Sequence, residues 1–126
     1  FLADTGGAGQ FRGGMGVARD IQFLDQSGML NTQFDKFKVA PFGLFGGADG
    51  ACGSLTLERQ GEVVNLASKT VNQDLRKGDI ISMQTQGGGG FGDPSKRDEQ
   101  MVRRDLREGK VSPQCAQQNH GVGPKE

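Results

Sequence analysis

The side chains able to bind a metal or attack a carbonyl are few in this sequence. It holds two cysteines, Cys52 and Cys115, and one histidine, His120. Cys115 and His120 stand five apart, which can bring both to one side of a short helix and its exit. Cys52 lies in a glycine-rich loop that could swing to meet them. Two thiolates and an imidazole suit Zn²⁺ at about 2.0–2.3 Å. They would make one structural zinc site per chain, with the fourth ligand from Asp, water or another chain. Against this stands the missing paired spacing of the CxxC kind. Two small packing cysteines and a histidine near a helix end explain the same residues and weigh more. A Cys52–Cys115 disulfide is a third option, disfavoured in the reducing, cytoplasmic setting that two cysteines suggest.

With one histidine near the C-terminus, no nucleophile, base and orienter form a self-contained set. No residue is therefore assigned a catalytic role. Asp4, Asp49, Asp79 and Asp93 lie in or beside glycine-rich turns. Aspartates there most often accept from backbone N–H groups.

The glycine clusters invite a nucleotide reading. Residues 7–14 read GxGxxxGG, not GxGxxG, with no strong strand before and no helix after. No GxxxxGK[ST] occurs. The tetraglycine Gly87–Gly90 could let N–H groups approach an anion. Turns and close backbone packing are the preferred explanation, so no cofactor-binding residue is assigned. At Gly88 and Gly89 that reading expects positive φ.

Around these residues the elements are short. The chain has 126 residues, 22 of them Gly, and its 8 aromatics are all Phe. Lys plus Arg and Asp plus Glu number 15 each, which argues against nucleic acid or an anionic membrane as partner. No apolar run is long enough to span a bilayer, and no secretory leader is visible. The start at Phe1 reads as incomplete at that end. The six early glycines, Gly6 to Gly16, read as tight turns. Strands are expected over 17–24, 29–39 (with Phe34, Phe37 and Val39 inward), 54–59, 62–66, 68–75 and 80–85. Gln26-Ser27-Gly28, Gln60-Gly61 and Lys77-Gly78-Asp79 read as turns. A helix over 95–109 follows, with Ser95 and Asp98 as a capping box, a Glu99–Arg103 pair, and Gly109 past its end. Ser112-Pro113 opens a second helix that ends near Gly121. The fold class is β-rich α+β: one small domain, 1–126, of short antiparallel strands (1–94) with two short C-terminal helices (95–122). Pro41 to Gly53 is unusual, since Phe42, Leu44 and Phe45 sit on an almost uncharged Gly-rich loop. Such residues plug a core or face a partner.

Several strings taken in order carry a resemblance. They are Asp4-Thr5-Gly6-Gly7-Ala8-Gly9, Phe11 to Val17 with Arg19, Pro41 to Gly47, Lys77-Gly78-Asp79, Gly87 to Pro94 with Arg97, and Asp105 to Gly109 with Val111-Ser112. Together they resemble the C-terminal portion of hydantoinase B-type subunits, of the hydantoinase, oxoprolinase and acetone/acetophenone carboxylase group. Family members are usually much longer, and the upstream part with its metal-binding residues is missing here. The end differs too, with His120 before Gly121-Val122 where relatives often have an aromatic. A free-standing tail looks like the small subunit of an acetophenone carboxylase-type complex. The resemblance implies an ATP-dependent, biotin-independent ketone carboxylation by a hetero-oligomer. Kinase-like hydantoinase A-type partners would bind ATP with Mg or Mn, and a larger B-type subunit would receive Phe42, Leu44 and Phe45. The rival within the group is a piece of a B-type subunit in ATP-dependent cyclic-amide hydrolysis. A rival of another class is a stand-alone zinc-binding interaction module.

Overall fold

Alternating leucines and isoleucines set the larger core. A computed structural model describes residues 1–123. The strands are β1 (Ala18–Gln22), β2 (Ser27–Gln33), β3 (Ser54–Arg59), β4 (Glu62–Asn65), β5 (Lys69–Arg76) and β6 (Ile80–Gln84). They form a four-stranded antiparallel sheet, ordered β1-β6-β3-β4, and a two-stranded antiparallel sheet, β2-β5. Leu57 of β3 stands opposite Ile81 of β6. With Leu55 and Leu75 they form a buried cluster that Phe23, Leu30, Phe34, Phe37, Leu66 and Met83 surround. Leu75 belongs to β5, so this cluster joins the two sheets.

A 3₁₀ turn (Pro94–Lys96) leads to helices α1 (Glu99–Arg107) and α2 (Pro113–His120). These pack a second, smaller core of Val102, Val111, Ala116 and Val122. Ser112 caps α2 by accepting from Cys115 N, and Gly121 ends it at φ 67°. Val122 N then returns to the Ala116 carbonyl, which folds Val122 under the helix. Among the described residues no helix is long and apolar enough to cross a membrane.

The β-rich architecture with two terminal helices agrees with the sequence expectation. Four local expectations need correction. The capping box does not form: Asp98 alone caps α1, accepting from Gln100 N and Met101 N, while Ser95 N and Oγ donate to Asp93 in the preceding 3₁₀ turn. Pro94 favours that separate turn because it fixes φ at a helix-start value. Val39 is 69% exposed rather than inward, since β2 ends at Gln33 and only Phe34 and Phe37 stack back on the core. Ser27 and Gly28 open β2 instead of closing a turn. The early glycines and the tetraglycine are not positive-φ turn residues at all.

Candidate functional site

Backbone packed on backbone explains those glycines. Residues 5–14, 42–51 and 86–92 run as irregular segments outside the two sheets, with a turn at Phe45–Gly46. They exchange hydrogen bonds between segments: Gly7 N to Gly88 O, Ala48 N to Ala8 O, Ala51 N to Thr5 O, Gly87 N to Ala51 O, Gly88 N to Gly14 O and Gly90 N to Ala48 O, all at 2.7–3.0 Å. A Cβ on Gly13, Gly87 or Gly90 would fall on the carbonyl oxygen of Gly88, Thr5 or Ala8. Only hydrogens fit between these chains, an arrangement that also allows Cα–H contacts to carbonyls. The bundle uses the N–H groups of Gly87, Gly88 and Gly90 internally, so the tetraglycine is not an anion cradle. Of the two uses expected of the tetraglycine, close backbone packing is the one seen, and the early glycines serve it as well instead of the tight turns expected of them.

The bundle also decides where bulky residues go. Beside these packed glycines Phe11, Phe42, Leu44, Phe45 and Phe91 stay exposed. Leu44 N donates to Gly90 O and Gly92 N donates to Leu44 O, both at 2.9 Å. This pins the Pro41–Gly47 loop to the tetraglycine, and Phe42, Leu44 and Phe45 stay 67%, 49% and 79% exposed. The loop therefore does not plug this chain's core. Phe45 packs on Phe91 with ring centroids 5.1 Å apart, and Phe91 contacts Phe11 at 6.2 Å. The result is one aromatic patch on the outside of the bundle. Phe42, Leu44 and Phe45 stand out in the sequence, whereas Phe11 and Phe91 do not. Both stand in the same Gly-flanked pattern, which was the available signal.

A buried charge cluster fastens α1 to the bundle. Arg12 Nε donates to Asp105 Oδ2 at 3.0 Å, and an Arg97 terminal nitrogen donates to the same oxygen at 2.8 Å. The other terminal nitrogens of Arg97 and Arg12 donate to the carbonyls of Gln10 and Gly13. All three side chains are largely buried. Burial alone would push the Asp105 pKa up, but the Arg12 hydrogen bond and the two guanidinium charges outweigh it and hold it below the usual carboxylate range. The cluster is a clamp with no nucleophile in it.

The four singled-out aspartates accept backbone N–H groups: Asp4 from Ser112, Asp49 from Gly43, Asp79 from Arg76 and Asp93 from Ser95. Asp79 also takes both oxygens to Arg59, at 2.7 and 2.9 Å. The Arg59 hydrogen bond, against the cost of burial, lowers its pKa.

Of the three expected metal ligands, two come together. Cys115 and His120 line a small cavity of about 30 Å³ with Asp4, Arg12 and Asn119, enough for about one water. Cys52 is exposed and lies outside it. Among the described residues no group of three or more His, Cys, Asp or Glu side chains is placed to hold a metal ion. The physical reason is local. His120 Nδ1–H donates to the Pro94 carbonyl at 2.8 Å, and Cys115 packs against the helical core. The two cysteines are free thiols.

The described residues thus form a small glycine-backed scaffold that carries an outward aromatic patch. The family model Hydantoinase B/oxoprolinase matches residues 1–94, and the chain belongs to that family. A candidate B-type component of a D-/L-hydantoinase from a Pseudomonas species is 34% identical over 116 residues, covering 90% of this chain and 19% of that protein. The crystal structure of the ATP-dependent caprolactamase from Pseudomonas jessenii superposes with a TM-score of 0.80 at 26% identity, over 98% of this chain and 22% of that one. The nucleotide-free acetone carboxylase structure shares the fold, with a TM-score of 0.79 at 20% identity over 95% of this chain and 20% of that one. The chain spans about a fifth of the length of the curated relatives it matches over most of its own length.

Proposed function

We propose that this chain serves as the C-terminal-type portion of a hydantoinase B-type enzyme and completes its structure without supplying a catalytic group. The observation that carries this is the aromatic patch of Phe11, Phe45 and Phe91, with Phe42 and Leu44 exposed on the loop that holds Phe45, on a backbone too tightly bonded to fold them inward. An exposed apolar cluster of this kind marks an interface. The coverage of about a fifth of the relatives supports the larger B-type part as what lies across it. Further partners in this reading are hydantoinase A-type subunits that bind ATP with Mg or Mn.

For the reaction of the whole assembly we favour ATP-dependent hydrolysis of a cyclic amide. The relatives named hydantoinase and caprolactamase support it. Ketone carboxylation, which the resemblance first implied, rests on likeness of fold to acetone carboxylase and stands second. The test assays the complete assembly for ATP cleavage with a hydantoin or lactam, and separately with a ketone and bicarbonate. Turnover with the cyclic amide, lost when this chain is left out, is expected. Turnover only with the ketone would reverse the order, and full turnover without the chain would remove the proposal.

A further inference from the structure

We infer that the groove between Phe11 and α1 seats an acidic segment with an apolar anchor, contributed by the remaining part of the B-type protein. This rests on the role proposed above and says where and by what chemistry the larger part is held. The groove has a volume of about 520 Å³. Its apolar lining includes Phe11 and Met101, 60% and 47% exposed. Lys96, Arg104 and Arg107 line it, with one carboxylate, Asp98. That carboxylate is engaged in capping α1. Arg104 is paired with Glu108 at 2.8 Å. Lys96 and Arg107 have no ion-pair partner among the described residues. A chain of zero formal net charge thus concentrates unpaired cations at one apolar depression.

Two observations select the occupant. Phe11 lines the groove and also touches Phe91 of the aromatic patch, so groove and patch form one continuous face. A small anion would satisfy the cations but leave Phe11 and Met101 in water. A polypeptide with a carboxylate beside an apolar side chain covers both, and about four-fifths of the family protein lies outside this chain. Charges at such a rim act chiefly on encounter and register.

The test treats the intact assembly with a carbodiimide, which joins a lysine amine to a carboxylate, and maps the products by mass spectrometry. Lys96 is expected to link to an Asp or Glu outside residues 1–126. Lys96→Glu with Arg107→Glu should weaken association at least tenfold, and changing the cross-linked acid to Lys should restore it. Both residues are exposed, and an unchanged melt of the variant chain verifies folding. An assembly that forms normally with Lys96 unlinked and the double variant indifferent overturns this inference while leaving the proposed role intact. A link from Lys96 to a second copy of this chain overturns it in favour of self-association. Failure of the wild-type chain to associate at all overturns both.

Discussion

Arg12 and Asp105 lie 93 residues apart, yet the Arg12 Nε–H donates to Asp105 Oδ2 at 3.0 Å. Arg97 donates to the same oxygen, so one carboxylate ties the glycine bundle to α1. Removing one partner of a buried ion cluster leaves the others uncompensated. Asp105→Ala should therefore cost about 3 kcal/mol or more in urea unfolding. Glu99→Ala, which breaks the exposed Glu99–Arg103 pair on the same helix, should cost only about 0.5 kcal/mol beyond propensity. Equal losses would deny the clamp its role.

The backbone bundle makes a sharp contrast between glycines. A methyl on Gly87 falls on the Thr5–Gly6 peptide, which is backbone with no flexible side chain to yield. Gly14 has open space around the same position, and neither residue has positive φ. Gly87→Ala should destabilise by about 3 kcal/mol, the upper range for overpacking, while Gly14→Ala should be neutral or stabilise by a few tenths. Comparable effects at both sites would mean that the segments are not packed as described.

Acid sensitivity follows from four carboxylates, of which Asp93 is lowered by its hydrogen bonds from Ser95. The Arg59 hydrogen bond lowers Asp79. The Arg12 and Arg97 partners lower Asp105 against its burial. Lys110 and Arg104 bring Glu108 down to about 2. Each has a folded pKa below its unfolded value near 4, so its stabilisation is fully present above about pH 4–5 and is lost as pH falls through the lowered pKa. Stability should be flat from about pH 5 to 7 and fall steeply below about pH 4. Asp79→Asn should be less stable at neutral pH and show a shallower acid decline. A decline already under way between pH 7 and 5 would contradict this assignment.

Phe42 and Phe45 should make the chain adhesive when its large partner is withheld. We expect it to bind a hydrophobic dye and to be poorly soluble, with Phe45→Glu improving solubility without lowering the melting temperature. Bright dye binding that Phe42→Glu with Phe45→Glu leaves unchanged would place the exposed apolar surface elsewhere.

Much of the fold was legible because it rests on side-chain period and capping chemistry. The Leu55, Leu57 and Ile81 alternation marked the sheet, and Ser112, Pro113 and Gly121 marked α2 within a residue. The glycine bundle was not legible as a structure, since glycine has no side-chain pattern to carry a period and its packing partners are carbonyls remote in sequence. The Arg12–Asp105–Arg97 clamp was hidden for a related reason: its charges look like ordinary surface residues until the bundle folds. The aromatic loop stood out because uncharged Phe-rich sequence among glycines has few uses. That Cys115 and His120 line one cavity is compatible with their spacing. The exclusion of Cys52 from it was not legible, because its segment is held by backbone hydrogen bonds on either side, at Ala51 and Gly53.

The central claim is that this chain works as one part of a larger B-type enzyme, held through its aromatic face. Sedimentation of the chain mixed with the remaining B-type part tests it most directly, for the wild type and for Phe42→Glu with Phe45→Glu. The account predicts one fast-sedimenting species that contains the wild-type chain, and a slow, separate peak for the folded variant. Comigration of both forms, or a wild-type chain that sediments alone as a stable monomer, would contradict it.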